Sequence, residues 1–216
     1  MTRIWLVRHA RSTANAAGIL AGRMPGVQLD DIGLTQLPDL KKVAFGETID
    51  YIVSSPLERA QQTAQSFVRT SNSSVKIDER LNECDYGSWS GLRLEDLTGE
   101  SLWKQIQDDP SSVTFPEGES MLNMQSRAVA SVEFWRAQTD ALGILVSHGD
   151  VIKSIVAHYS RLHFNSFQGI EIAPASITEI SFSHSGCTIG PVKYTSKRNR
   201  QETDALGGGD VVTSNS

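Results

Sequence analysis

Ile4-Trp5-Leu6-Val7-Arg8-His9-Ala10-Arg11-Ser12 runs four apolar residues straight into two arginines and a histidine. A short apolar run that stops at a polar cluster reads as a buried strand of a parallel sheet. Two further stretches repeat the pattern: Tyr51-Ile52-Val53 before Ser54-Ser55, and Gly143-Ile144-Leu145-Val146 before Ser147-His148. Helical spacing follows, with Leu57, Ala60, Ala64 and Phe67 after the second run and Val151, Ile152, Ile155, Val156 and Tyr159 after the third. Met121, Met124, Ala128, Val132 and Trp135 form another such stripe, best read as core. Strands alternating with helices predict an α/β fold, a three-layer αβα sandwich around a mostly parallel central sheet. Ligands of such folds bind outside the carboxyl ends of the strands, where all three polar clusters fall.

Residues 75–79 and 176–182 are further strand candidates, and 88–118 reads as loops and short helices near the site. Ser55 is expected to cap the helix after the second strand, with Pro56 at its first position and Glu58 three residues on. Thr35 as a cap would leave Pro38 in a first turn, where no amide partner is lost. Residues 1–192 are expected to form one domain. Residues 193–216, which contain Gly207-Gly208-Gly209, are expected to form a flexible tail.

At 216 residues the chain can bury a real core. A net charge of −5 gives no general attraction to nucleic acid or an anionic membrane, so any anion site must be local. No apolar run approaches membrane-spanning length, and Met1-Thr2-Arg3 leads into a strand-like segment rather than a signal-peptide pattern. Cys84 and Cys187 form neither a disulfide framework nor a metal motif, which points to the cytoplasm.

The strand ends supply Arg8, His9, Arg11 and Ser12 from the first, Arg59 from the second, and His148 and Gly149 from the third. Guanidinium forks suit bidentate binding of phosphoryl oxygens. A neutral imidazole beside them is a competent nucleophile toward phosphorus, because the flanking cations resist its protonation while attracting the anion it attacks. His148, protonated, can stabilise charge on the equatorial oxygens of the transition state. The leaving oxygen needs an acid, and Glu83 or its rival Asp85, in Arg80-Leu81-Asn82-Glu83-Cys84-Asp85-Tyr86-Gly87, can supply a proton if partly desolvated. Spacing does not choose between them.

Taken alone, a histidine after a strand is more often structural, and an arginine in a first helical turn is usually a solvated charge. The functional reading rests on two histidines and two arginines at three strand ends, which the sheet order must bring together. No His-x-His, HExxH or Asp-x-Asp pattern suggests a metal site, and His158, His163 and His184 lack a partner pattern.

On these residues the chain resembles the histidine phosphatase superfamily, the phosphoglycerate-mutase-like group. LVRHARSTAN is similar to its Arg-His-Gly signature. Ser54 to Ala64, Leu81 to Gly91, Pro116-Glu117-Gly118-Glu119-Ser120 and Val146-Ser147-His148-Gly149 follow in the family's order. The resemblance implies His9 as the residue phosphorylated on its ring and Glu83 as the acid. It also implies a phosphate pocket of Arg8, Arg59 and His148, to which the strand-end reading adds Gly149, with Ser12 and Asn15 as added contacts. It implies no metal and no organic cofactor. Ala10 stands in place of the usual glycine and fits if its backbone avoids positive φ.

Mutases of this group shield phosphohistidine with a longer insertion and basic residues that grip a carboxylate. Here only 33 residues separate Glu83 from Glu117, and the Asn-Lys and Arg-Arg pairs are absent. The expected activity is therefore hydrolysis of small phosphorylated metabolites. Mutase-type transfer, a phosphohistidine protein phosphatase and a non-catalytic phospho-ligand binding module are the alternatives. A homodimer is left open.

Overall fold

The computed structural model describes residues 1–69, 74–138 and 140–193. Among these residues, six strands form one sheet: β1 (Thr2–Arg8), β2 (Ile49–Ser54), β3 (Val75–Ile77), β4 (Leu142–Ser147), β5 (Ile177–Ser183) and β6 (Gly186–Ile189). Their order is β3-β2-β4-β1-β5-β6. The first four run parallel, while β5 is antiparallel to β1 and β6 to β5. The helices are α1 (Thr13–Ala17), α2 (Asp31–Val43), α3 (Glu58–Gln65), α4 (Leu94–Leu97), α5 (Ser101–Asp108), α6 (Met121–Arg136) and α7 (Gly149–Tyr159). None is long and apolar enough to cross a membrane.

Alternation along the strands builds two cores. Trp5, Val7, Ile52, Ile144 and Val146 face α2 and α3, meeting Leu40, Ala60 and Ala64. Ile4, Leu6, Val53 and Leu145 face α6 and α7, meeting Met124, Ala128, Val132, Ile152 and Ile155. Full burial of each such aliphatic side chain contributes about 1.5–3 kcal/mol. Both faces are covered, which is why the strands read as continuous apolar runs.

The strand order brings the three polar clusters to one edge. β4 lies between β1 and β2, with Arg8 opposite Ser147 and Ser54 opposite Val146. The residues that follow, His9, Ser55 and His148, therefore leave the sheet side by side.

Two helix starts differ from the sequence reading. α3 begins at Glu58 with Leu57 as its N-cap in extended backbone. Ser55 does not cap it, because its hydroxyl bonds His148 Nε2 at 2.7 Å and makes only a 3.4 Å contact to the Leu57 amide. α2 begins at Asp31, not after Thr35, because Asp30 caps it by accepting from the Gly33 amide at 2.7 Å. Pro38 consequently lies inside the helix on an exposed face, where it has no amide to donate to the Leu34 carbonyl one turn back. The strand β6 is also new. Of the tail, residues 194–216 lie outside the described residues, whereas Lys193 exchanges both backbone hydrogen bonds with Ile177, at 2.9 and 2.8 Å.

Asp78 fastens the end of β3 to α6. Its carboxylate accepts from Ser131 Oγ (2.8 Å), Trp135 Nε1 (2.7 Å) and Arg80 Nη2 (2.8 Å). Burial alone would raise its pKa, but these bonds hold it at about 2, below the ordinary 3.8. A depressed carboxyl pKa adds stability that is full above about pH 4 and is lost as pH falls through 2. Asp78→Asn should cost about 2 kcal/mol at neutral pH in urea unfolding, with the gap to wild type closing toward pH 2. A gap constant over that range would contradict the assignment.

Candidate active site

His9 follows directly on β1 and is held by backbone bonds on both sides, its amide donating to Ser147 O (2.9 Å) and its carbonyl accepting from Ala175 N (3.2 Å). Its Nδ1 lies 2.7 Å from the Ala10 carbonyl, an atom that can only accept. Nδ1 therefore carries the proton, and Nε2 keeps the lone pair. Ala10 is fully buried, donates to Thr63 Oγ1 at 3.0 Å, and is not among the residues with positive φ, so the methyl group is accommodated without strain.

Around this ring the structure gathers the other strand-end residues. His148 packs edge to face on His9, ring centroids 5.1 Å apart. Arg8 donates through Nη1 to the Ile172 carbonyl. Gly149 lets α7 start against that guanidinium, since a Cβ there would lie 3.3 Å from Arg8 Cζ. Arg59, from the first turn of α3, donates through Nη2 to Gly22 O at 2.8 Å, while its buried Nη1 has no hydrogen-bond partner among the described residues. Ser12 and Asn15 form a reciprocal capping box on α1: the Ser12 amide donates to Asn15 Oδ1 (3.0 Å), and the Asn15 amide donates to Ser12 Oγ (3.2 Å). Arg11 instead pairs with Asp30 at 3.2 Å, away from the cluster.

The structure separates the two acidic candidates. Glu83 is 2% exposed, and its Oε2 lies 3.9 Å from His148 Nδ1. Asp85 is 40% exposed at its side chain and is spent on the Gly87 amide and Arg23. Burial, reinforced by the nearby charge of Asp150, raises the Glu83 pKa to about 7, against the pull of the Cys84 amide and of Arg59 and Arg8. Burial and the same two arginines push His9 well below the ordinary imidazole range.

For His148 the sequence reading invokes the protonated form. Burial, then the charge of Arg59, holds it well below its ordinary pKa, so with the protein's own charges alone it is neutral rather than protonated. Its contact with Glu83 thus joins a neutral ring to a carboxyl that keeps its proton up to about pH 7. An added dianion would favour the charged ring.

Sequence reasoning missed Ser55, bonded to His148, and Asp150, whose Oδ2 accepts from Tyr86 OH at 2.7 Å. Asp150 stands right after His148-Gly149, so adjacency alone could have drawn attention to it. Among the described residues no group of three or more His, Cys, Asp or Glu side chains is arranged to hold a metal ion.

A sheet edge that joins a neutral imidazole, two buried guanidiniums, a second histidine and a protonated carboxyl has the chemical properties that phosphoryl transfer requires. The chain belongs to the histidine phosphatase superfamily, branch 1, whose family model matches residues 4–194. A relative from Hydrogenobacter thermophilus, assigned by name as a phosphoserine phosphatase, is 27% identical over 88% of this chain and 94% of its own. One from Photorhabdus laumondii, assigned by name as a phosphoglycerate mutase, is 27% identical over 86% and 87%. The same fold occurs in a His-to-Ala variant of Entamoeba histolytica phosphoserine phosphatase in complex with phosphoserine. It has a TM-score of 0.80 and 23% identity, and the match covers 90% of this chain and 98% of that one.

The raised Glu83 pKa is directly measurable. Its side-chain carboxyl carbon should titrate near pH 7 by NMR, and Asp150→Asn should move that midpoint down, because the Asp150 charge is the largest cause after burial. A midpoint near 4.5 in the wild type would refute this account of the site.

Proposed function

We propose that the chain is a phosphatase that hydrolyses small phosphomonoesters through a phosphohistidine intermediate on His9. The observation that carries this reading is the His9 tautomer: the Nδ1–H bond to Ala10 O leaves Nε2 as the nucleophile amid Arg59 and Arg8. Arg8, Arg59 and His148 bind the phosphoryl oxygens, joined by Ser12, Asn15 and Gly149. The charge of Arg8 and Arg59 offsets that of the transferring group and draws the dianion in.

In the first half-reaction Nε2 attacks phosphorus, the P–O ester bond breaks, and Glu83 gives its proton to the departing alkoxide. In the second, the Glu83 carboxylate takes a proton from water as the hydroxide oxygen attacks phosphorus and the P–N bond breaks. Orthophosphate leaves, and His9 and Glu83 return to their starting states. A carboxyl with a pKa of about 7 suits both roles near neutral pH. The short stretch between Glu83 and Glu117 supports hydrolysis over return of the phosphoryl group to an acceptor. Two free cysteines, Cys84 buried and Cys187 half-buried, support a reducing compartment and hence the cytoplasm.

A phosphate-release assay over sugar phosphates, phosphoserine, phosphoglycerate, nucleotides and a ribazole phosphate tests the reading. Activity on at least one, unchanged by a chelator, is expected; loss on chelation would overturn the mechanism. Glu83→Gln should lose ~10²–10⁴-fold on alkyl phosphates. With p-nitrophenyl phosphate, whose leaving group needs no acid, it should release about one equivalent of nitrophenol in a burst before slow turnover. A wild-type rate on alkyl esters would remove Glu83 from the mechanism.

A further inference from the structure

The acid must be held where the leaving oxygen departs, yet Glu83 lies in a segment without regular secondary structure between Leu81 and Gly87. What fixes that segment is a half-buried ionic clamp built from three other parts of the chain. The Glu119 carboxylate, 15% exposed, accepts from Arg127 through both oxygens, at 3.0 and 2.6 Å, and from Arg23 Nη2 at 2.9 Å. It also accepts from the Asp85 amide at 2.9 Å.

Both arginines then grip the backbone that carries the acid. Arg23 Nε and Arg127 Nη2 donate to the carbonyl of Glu83 itself, at 2.9 and 3.0 Å, and Arg127 Nη1 donates to Arg80 O and Asn82 O at 2.9 and 2.6 Å. The Glu119 amide returns a bond to Asp85 O at 2.9 Å. This docking needs Gly118, because a Cβ there would lie 2.2 Å from Asp85 O. Arg23 also adjoins Gly22, whose carbonyl holds Arg59, so the clamp ties the acid to the phosphate pocket.

We propose that Glu119, acting through Arg127 and Arg23, is the positioning residue that sets Glu83 against the leaving oxygen; this rests on the reading of Glu83 as the acid. Glu119 touches no reacting atom. Removing its charge leaves two guanidiniums competing for backbone carbonyls, and the Glu83 backbone loses its fixed register.

A positioning role and a merely structural one differ in leaving-group dependence. Rapid-quench rates of phosphoryl transfer to the enzyme should be compared for glycerol phosphate and p-nitrophenyl phosphate in wild type, Glu83→Gln, Glu119→Gln and Arg23→Ala. Both clamp variants should slow transfer from the alkyl ester by ~10- to 100-fold, leaving the aryl ester and both KM values within about threefold. Equal loss on both esters, or no loss on either, in a variant that melts like wild type would overturn the proposal. If Glu119→Gln does not fold, Arg23→Ala, at a half-exposed side chain, decides by the same criterion. Should Glu83→Gln itself slow both esters alike, the acid reading falls and the clamp role falls with it; should Glu83→Gln alone discriminate, only the clamp role falls.

Discussion

The parallel pairing of β1 with β4, Arg8 opposite Ser147, is the constraint on which the site depends. Parallel strands end at the same edge, so pairing them in this register delivers His9 and His148 together. The ladder even continues past the strand ends, His9 N to Ser147 O and Ser55 N to Val146 O, both at 2.9 Å. The backbone at His9 and Ser55 is therefore held by main-chain bonds that extend the sheet rather than by the conformation of a loop. A slip of one residue would turn His9 to the opposite face and exchange Trp5 and Val7 with Ile4 and Leu6 between the two cores. The cores that stabilise the fold thus also enforce the register of the chemistry.

The same burial sets the protonation states. Charged groups taken out of water carry a penalty of several kcal/mol each, which falls hardest on whichever can discharge. The imidazoles and Glu83 can; the guanidiniums of Arg8 and Arg59 cannot. His9 and His148 therefore stay neutral, and Glu83 keeps its proton toward pH 7. One buried cluster yields an imidazole that is unprotonated and a carboxyl that is protonated at the same pH, an inversion of their ordinary order in water. The excess of fixed positive charge left behind is the attraction for an anion. Arg59 Nη1 finds no acceptor among the described residues.

Legibility in the sequence followed the kind of interaction. Apolar runs of three or four residues and the helical stripes that follow them gave the parallel core of the sheet and its flanking helices, because strands buried on both faces leave short continuous apolar runs, whereas β6, with only intermediate or exposed residues, left none. His9, Arg8, Arg59 and His148 were legible because each adjoins a strand end or opens a helix. Glu83 was not separable from Asp85 by spacing, since their difference is burial, 3% against 40% exposure at the side chain. Ser55 misled because a serine before a proline fits a cap, and its actual partner, His148, is 93 residues away. Arg23, Glu119 and Arg127 share no spacing pattern, and only the folded chain shows Glu119 holding both arginines on the Glu83 carbonyl.

The central claim is that the imidazole of His9 carries the phosphoryl group during turnover. It is tested by mixing the enzyme with 32P-labelled substrate, quenching in alkali within milliseconds, and mapping the labelled peptide. The account predicts acid-labile, alkali-stable label on the peptide containing His9, absent from a His9→Ala variant that still folds. Label on another residue, or turnover with no labelled protein at any time point, would contradict it.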